Sequence, residues 1–317
     1  MSVSKAFSPS SDTPVTVASF YRFAELADPQ ALRATLAARC AELGLRGTVL
    51  LAAEGINATL AGPQAGIAAL LAELTRLPGL DALRVARSRA PRNPFRRLKV
   101  RVRPEIVTLG IPGIAPHRRT GTHVAPREWD ALLADPRLVV LDTRNDYEFR
   151  IGHFERALAP PMQHFREFPR FVAAQFAAGE RPPVAMFCTG GIRCEKASAY
   201  LLEQGFTEVY QLDGGILRYL AETPAAESRW RGDCFVFDER VAVDAELRPA
   251  GYEQCPGCRR PVSAADRRAP GYEAGVSCPA CHATLSPAQR RAASERRRQM
   301  ALARARDTDH LGALMPR

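Results

Sequence analysis

The stretch Cys188-Thr189-Gly190-Gly191-Ile192-Arg193 decides how the middle of this chain folds. It lies between an apolar run, Val184–Phe187, and a helix-like segment at residues 195–203, so it predicts a strand, a tight loop and a helix start. The paired glycines let the backbone curl without a Cβ clash. Backbone N–H groups and the positive end of the helix favour an anion in such a loop. The pattern therefore predicts Cys188 as a thiolate nucleophile, with Arg193 as a fixed positive charge beside it.

The length of this loop indicates what it accommodates. Four residues separate Cys188 from Arg193, whereas five separate the cysteine and arginine of cysteine phosphatases. The shorter loop favours a persulfide or another sulfur-sized group over a phosphate. The alternative is an inert buried cysteine in an ordinary strand-to-helix turn. The two glycines and the arginine at this spacing argue against that alternative.

The sequence upstream of the loop agrees with this interpretation. A short apolar run at residues 138–141 leads into Asp142-Thr143-Arg144, and a segment with Glu148, Gly152 and His153 follows. Together with the Cys188 loop, this segment resembles a rhodanese domain over residues 122–224. The resemblance implies an α/β unit with a parallel sheet, in which Asp142 and Arg144 support the active-site loop. For His153 it favours a structural role with satisfied hydrogen bonds, and the alternative is a catalytic base.

Residues 14–110 predict a separate small unit. The expected strands are 15–21, 48–53, 58–61, 80–87 and 98–108, and the expected helices are 28–43 and 63–77. The order β-α-β-β-α-β with one extra strand is typical of a ferredoxin-like (acylphosphatase-like) α+β domain. The remaining divisions that we expect are a disordered tail at 1–13, a linker at 111–121, the rhodanese-like domain at 122–224, a cysteine-rich region at 225–285 and an Arg-rich tail at 286–317.

The last predicted strand of this unit carries a basic face. Side chains alternate along a strand, so Lys99, Arg101 and Arg103 point away from the apolar residues between them. This charge density predicts an RNA-binding surface, and the alternative is a solvated strand face. The candidate RNA-binding residues are Arg96, Arg97, Lys99, Arg101 and Arg103.

Two Cys-x2-Cys pairs mark the third region. They are Cys255 with Cys258 and Cys278 with Cys281, and 19 residues separate the pairs. This spacing predicts a structural zinc site with four thiolate ligands in a small C-terminal appendage. The alternatives are a redox dithiol pair and an iron–sulfur site. Further on, the Arg-rich segment 289–298 predicts either a helix or a basic tail, which binds RNA or is simply solvated.

Composition narrows the function classes. The chain has 317 residues, a net charge of +10 and 8 cysteines. We expect a cytoplasmic protein, because no segment predicts a signal peptide or a membrane span and because the cysteine pattern favours chemistry and metal binding over disulfides. The positive charge suggests a polyanionic partner. The sequence shows no NAD, flavin or iron motif.

Four motifs in one order give a more specific resemblance. They are residues 53–58, the loop and helix start 188–198, residues 212–216, and Phe235-Val236-Phe237-Asp238-Glu239-Arg240. Over residues 15–285 the chain resembles the bacterial tRNA uridine hydroxylase family, whose members convert the wobble uridine of tRNA to 5-hydroxyuridine with molecular oxygen. The resemblance implies a tRNA partner contacted at the anticodon, oxygen as co-substrate and an unidentified electron donor.

The same resemblance assigns roles within the loop. It implies that Cys188 is the essential cysteine, passing through a persulfide, and that Arg193 holds the anionic sulfur. Cys194 is either a resolving thiol or a small side chain packed behind the loop. Two other functions stay open at this point: a sulfurtransferase acting through a Cys188 persulfide, and a non-catalytic RNA-binding module. The intact Cys188, Gly191 and Arg193 argue against the second.

Overall fold

The computed structural model describes residues 14–176 and 179–306. The predicted tail at residues 1–13 and the last part of the Arg-rich tail, residues 307–317, lie outside the described residues.

The first unit is a five-stranded sheet covered by two helices. Strand order is β4-β1-β3-β2-β5, and β5 runs parallel to β2 whereas the other neighbours are antiparallel. This arrangement confirms the predicted ferredoxin-like plan with an added edge strand. Its elements are β1 (Val15–Phe23), α1 (Pro29–Glu42), β2 (Arg46–Ala52), β3 (Gly55–Gly62), α2 (Gln64–Leu74), β4 (Arg84–Ala90) and β5 (Leu98–Val102).

Hydrogen-bond partners account for the start of α1 and for the end of β5, which differs from the prediction. Asp28 caps α1, since its Oδ1 accepts the N–H groups of Gln30 and Ala31 at 3.0 and 2.9 Å. The strand expected at 98–108 ends at Val102. Arg103 still donates its N–H to the Leu51 carbonyl at 2.8 Å, but β2 itself ends at Ala52, and the next carbonyl, that of Ala53, accepts the N–H of Leu26 instead.

The second unit is built on a parallel sheet, as predicted, and its strand order is β6-β10-β9-β7. Its central strand β9 is buried along its whole length, and alternate residues face two apolar clusters. Its elements are β6 (Thr122–Val124), α3 (Pro126–Leu132), β7 (Val139–Asp142), α4 (Asp146–Ile151), β8 (Gly152–Phe154), α5 (Phe168–Gln175), β9 (Val184–Phe187), α6 (Ile192–Glu203), β10 (Val209–Leu212) and α7 (Gly215–Glu222).

Short strand pairs and one long helix make up the C-terminal region. The elements are β11 (Trp230–Gly232), which pairs with β8, then β12 (Cys234–Phe235), β13 (Ala242–Val243), β14 (Glu253–Gln254), β15 (Pro261–Val262) and α8 (Pro287–Ala305). Helix α8 contacts the cysteine-rich region through Arg290, which donates to the His282 carbonyl at 2.9 Å. Within the described residues, no helix has the length and apolar character needed to cross a membrane.

Buried charges join the first two units at the start of α6. Lys196 is 2 % exposed and pairs with Glu54 of the first unit at 2.8 Å and with Glu105, which follows β5. The preceding residue, Glu195, accepts a hydrogen bond from Tyr21 of β1 at 3.2 Å. The helix that starts at the Cys188 loop is therefore also the helix on which the first unit docks.

Candidate active site

The Cys188 loop lies at the carboxyl end of β9, where it turns into α6. Gly191 is in the left-handed region with φ 95° and donates its N–H to Cys188 Sγ at 3.1 Å. The residue Cys188 is 1 % exposed. The sulfur is thus held against the backbone of its own loop, as the glycine pattern predicts.

The start of α7 supports the loop from behind. Ile216 and Leu217 donate their N–H groups to the carbonyls of Cys188 and Thr189 at 2.9 and 3.0 Å. Gly215 has φ 66°, and a Cβ at that position would lie 2.5 Å from the Cys188 carbonyl oxygen. Only glycine lets α7 approach the loop this closely.

The surroundings of Cys188 favour its thiolate. Burial acts to raise the pKa of the thiol, but hydrogen bonds from the Cys194 side chain and from the N–H groups of Cys194 and Arg193, together with the Arg193 charge, outweigh burial and lower the pKa to about 6. These surroundings therefore favour the thiolate of Cys188 over the neutral thiol.

Cys194 is fully buried behind the loop. Its sulfur lies 3.6 Å from Thr143 Oγ1, and burial followed by the neighbouring Cys188 raises its pKa well above the usual range. The raised pKa keeps Cys194 a neutral thiol, and its side chain is among the causes of the lowered pKa of Cys188. It packs behind the loop and also stabilises the charge in front of it.

Arg193 is held by a carboxylate rather than left free to face a ligand. Its Nη1 and Nη2 donate to the two carboxylate oxygens of Glu148 at 2.8 Å each, and the whole pair is buried. Glu148 also accepts the N–H of Asn145 at 3.2 Å, so it connects α4 to the loop. The guanidinium is fixed in place and acts on Cys188 through its charge.

Asp142 and Arg144 form a second buried pair, at the end of β7. Arg144 Nη2 donates to Asp142 at 2.7 Å and to the Gly152 carbonyl at 2.6 Å, while the guanidinium lies 5.1 Å from the Trp230 ring. This pair links the end of β7 to the end of α4 and to β11.

His153 makes local contacts within its own turn. Its Nδ1 lies 3.1 Å from the Phe149 carbonyl oxygen, and its ring stacks on Phe149 with centroids 4.1 Å apart. These contacts fix the ring within its own turn.

The first unit covers one side of the loop. A Cβ at Gly191 would lie 2.7 Å from the Tyr21 hydroxyl oxygen, so this phenol rests directly on the loop. Burial, followed by the charge of Glu195, raises the pKa of Tyr21 well above its usual range and keeps it neutral. No local sequence motif indicates that Tyr21 and Glu195 belong to the site, because they contact the loop only through the packing of the two units.

Glu195 organises the junction beside the loop. Besides Tyr21, it bonds with His123 Nε2 at 3.0 Å, Thr120 Oγ1 at 3.0 Å and Gln211 Nε2 at 3.3 Å, and Arg84 lies 3.5 Å away. These contacts outweigh burial and lower its pKa. A cavity of about 150 Å³ opens between the units, with Tyr21 and Glu195 in its wall.

The four cysteines of the C-terminal region converge on one point. The Sγ–Sγ distances are 3.7 Å for Cys255 and Cys281, 3.6 Å for Cys258 and Cys278, and 3.8 Å for Cys278 and Cys281. A tetrahedral ion with metal–sulfur bonds of about 2.3 Å requires sulfurs about 3.8 Å apart. None of the eight cysteines, all of which lie in the described ranges, forms a disulfide. The cluster can therefore hold a metal ion.

The candidate RNA-binding residues lie on the edge strand β5 and the segment before it. Arg101 and Arg103 are exposed, whereas Lys99 is half-buried. Burial and then the charges of Arg97, Arg101 and Arg259 lower the pKa of Lys99. Positive groups from β5, from the residue before it and from the residue after Cys258 therefore lie near one another. Arg96 differs from the others because it pairs with Glu239.

Two protein families match the first and second units of the chain. Residues 15–106 match the family described as UPF0176 acylphosphatase like domain, and residues 125–222 match the rhodanese-like domain. The chain is 48 % identical over 301 residues to the tRNA uridine(34) hydroxylase of Rhizobium leguminosarum bv. trifolii, covering 95 % of this chain and 97 % of that protein.

Two further relatives have the same name. The tRNA uridine(34) hydroxylase of Albidiferax ferrireducens is 50 % identical over 305 residues, covering 95 % of this chain and 96 % of that protein. That of Agrobacterium fabrum is 50 % identical over 296 residues, covering 93 % and 94 %. With a rhodanese-like loop that stabilises a thiolate, and with half of its residues shared along nearly the whole length, this chain belongs to the family of tRNA uridine(34) hydroxylases.

Proposed function

We propose that this protein hydroxylates C5 of the wobble uridine, position 34, in tRNA, with molecular oxygen as co-substrate. The observation that carries the proposal is the identity of 48–50 % to proteins named tRNA uridine(34) hydroxylase over nearly the full chain. The Cys188 thiolate supplies the nucleophile that the reaction can use. One oxygen atom goes to C5 and the other leaves as water, with two electrons and two protons from an external reductant.

Cys188 acts in this proposal by adding to C6 of the uracil ring. Addition of a thiolate there raises the electron density at C5, which then reacts with oxygen, and the thiolate leaves C6 as the C5 proton is lost. The loop fits this role because Gly191 N–H, Cys194 and the Arg193 charge stabilise the sulfur anion both before addition and after its release.

Nucleoside mass spectrometry of tRNA tests the proposal. Cells that lack the protein should lose 5-hydroxyuridine and the nucleosides made from it, and the wild-type chain should restore them. With purified protein and ¹⁸O₂, the product should gain one labelled oxygen. The competing sulfurtransferase function predicts a different result, because a thiolated nucleoside would disappear instead and hydroxylation would stay unchanged.

We propose that the tRNA backbone lies along β5. The evidence is the cluster of Lys99, Arg97, Arg101 and Arg259, whose mutual repulsion contributes to the lowered pKa of Lys99. Uncompensated positive charge of this kind is relieved when phosphates bind. Arg96 contributes less to this surface, because Glu239 already pairs with it.

Replacing Lys99, Arg101 and Arg103 together by alanine should weaken tRNA binding and reduce its dependence on salt. Each lost phosphate contact lowers the slope of log K against log salt by about 0.7 to 0.9, so three contacts lower it by about 2 to 3. Filter binding between 50 and 300 mM salt measures both quantities. The control removes three exposed arginines on other elements, Arg76, Arg166 and Arg170, and should leave the slope unchanged. Equal slopes for the two variants would exclude β5 as the surface.

We propose that the four-cysteine cluster binds zinc with a structural role. Four thiolates at tetrahedral spacing fill the coordination sphere, and the region around them has only a small apolar cluster of its own. Arg260 lies 3.6 Å from Asp146 at the start of α4, so the region also contacts the second unit.

Changing Cys278 to Ser should remove one equivalent of zinc per chain and unfold the C-terminal region, because binding of the metal is coupled to folding of so small a region. Metal content by mass spectrometry and hydrogen exchange of residues 250–290 measure the two effects. The matched control is Cys40→Ser, since Cys40 is a buried cysteine of α1 outside the cluster. Full zinc content in the Cys278 variant would refute the site. One equivalent of iron in the wild type would show that the cluster binds iron instead of zinc.

A further inference from the structure

Phe237 is an aromatic side chain left in solvent beside the Cys188 loop. It is 58 % exposed, which is more than Ile111 at 37 % or Leu302 at 42 %, the other exposed large hydrophobic residues of the described ranges. Its ring lies 5.7 Å from the guanidinium carbon of Arg193 and 5.1 Å from the Phe235 ring. The exposed ring is thus one side chain away from the active-site loop.

The segment that carries Phe237 is connected to this loop. It links β12 to β13, and Val236 closes it by donating its N–H to the Val241 carbonyl at 2.9 Å. Thr189, the residue after Cys188, lies 3.4 Å through its hydroxyl from the Phe235 carbonyl oxygen. The segment before Phe237 is therefore hydrogen-bonded to the loop that carries Cys188.

The first unit holds the same segment from its other side. Arg240 pairs with the buried Asp238 at 2.6 Å and donates to Ser88 Oγ of β4 at 2.8 Å. Glu239 donates its N–H to the Pro94 carbonyl at 3.1 Å. Contacts from two units thus fix the backbone around Phe237, so that a ligand that stacks on the ring finds it already ordered.

Charge beside the ring favours RNA over an apolar partner. Glu239 pairs with Arg96, and residues 96–103 continue from there along the basic strand β5. An exposed aromatic ring next to a row of cations is the arrangement that binds single-stranded nucleic acid, in which bases stack on the ring and phosphates follow the cations.

We propose that Phe237 is the stacking platform for an unpaired anticodon base, and that it holds the uridine at position 34 beside Cys188. This inference rests on the proposed function and adds to it the residue that positions the base. One face of the base covers the exposed side of the Phe237 ring, and Arg193 lies within cation–π distance of the same ring. Phe237 itself takes no part in bond making and is a positioning residue.

A binding experiment with an anticodon stem-loop RNA separates the platform from the chemistry. Phe237→Leu keeps an apolar side chain but lacks the ring, and it should weaken binding by about 5- to 150-fold, the range for loss of one stacked base. Phe237→Trp should retain the affinity of the wild type. The matched control, Leu302→Ala, alters another exposed apolar side chain, on α8, and should change nothing. Thermal unfolding by circular dichroism checks that each variant is folded.

Photocrosslinking locates the base directly. RNA with 5-iodouridine at position 34 should crosslink to Phe237, whereas the same group in the stem should not, and peptide mass spectrometry identifies the residue. The protein could form no 5-hydroxyuridine and yet crosslink to the RNA at Phe237 and lose affinity in Phe237→Leu. That result would refute the proposed function but support Phe237 as the stacking platform. Hydroxylation with wild-type affinity and KM in Phe237→Leu would overturn the platform alone.

Discussion

Replacing Cys188 by alanine should lower 5-hydroxyuridine formation at least about a thousandfold, to the background of the assay, because no other thiolate lies in the loop to take its place. Purified wild-type and variant proteins are compared on the same tRNA, with the modified nucleoside measured by mass spectrometry. Residue 188 is small and buried at the end of β9, so the alanine variant should keep its fold. Hydroxylation at the wild-type rate in this variant would remove the cysteine from the mechanism.

Cys194→Ala is the matched control, since it keeps the nucleophile and removes the neighbouring thiol that helps to lower its pKa. The pKa of Cys188 should rise when that thiol is lost. Reactivity towards iodoacetamide increases with pH as the thiolate forms, so the midpoint of labelling should move to higher pH. The variant should still hydroxylate tRNA. Its rate should fall furthest below that of the wild type at acidic pH, where less of its Cys188 is thiolate. A midpoint that does not move would show that the Cys194 thiol has no part in stabilising the anion.

Replacing Glu148 by glutamine should lower the free energy of unfolding by about 3–5 kcal/mol, because it leaves the buried guanidinium of Arg193 without its counter-ion. Urea unfolding followed by circular dichroism measures the change. Asp135→Asn is the control: Asp135 pairs with Arg137 at the same short distance, 2.7 Å, but in an exposed position, so its loss should matter little. Similar losses for the two variants would mean that burial of the Glu148 pair has no energetic consequence.

The same pair predicts a dependence on pH. Burial opposes ionisation of Glu148, but the charge and hydrogen bonds of Arg193 prevail and lower its pKa below the usual 4.5. A carboxylate with a lowered pKa stabilises the fold fully above its ordinary pKa and ceases to do so as the pH falls through the lowered value. The advantage of the wild type over Glu148→Gln should therefore be constant from pH 6 to 8 and shrink in acid. If the wild type stayed more stable than Glu148→Gln by the same free energy at low pH, the lowered pKa of Glu148 would be contradicted.

Motifs that act over a few residues could be predicted from sequence. The Cys188 loop, the two cysteine pairs and the alternation along β5 each depend on neighbours in the chain, and the succession of elements predicts the ferredoxin-like plan of the first unit. The partner of Arg193 could not be predicted in the same way. The sequence places Arg193 beside the sulfur, and only packing of α4 against the loop shows that Glu148 holds it.

Contacts between distant segments account for the other residues that the sequence did not reveal. Tyr21 comes 170 positions before Gly191 in the chain, yet it rests on the loop. Phe237 belonged to a motif that carried the family resemblance without any role, and only its exposure beside Arg193 gives it one. An exposed phenylalanine and a buried one look the same in a sequence.

The salt bridges at the start of α6 limit which residues can be substituted independently and which fragments of this protein can be studied alone. Lys196 lies in the second unit, but its carboxylate partners Glu54 and Glu105 come from the first unit and from the segment after it. A fragment with only the second unit would expose this lysine's unmatched charge on a surface evolved to be covered. The three positions should therefore change together among relatives, and a rhodanese-like domain from an unrelated protein could not replace this one without redesign of the first unit.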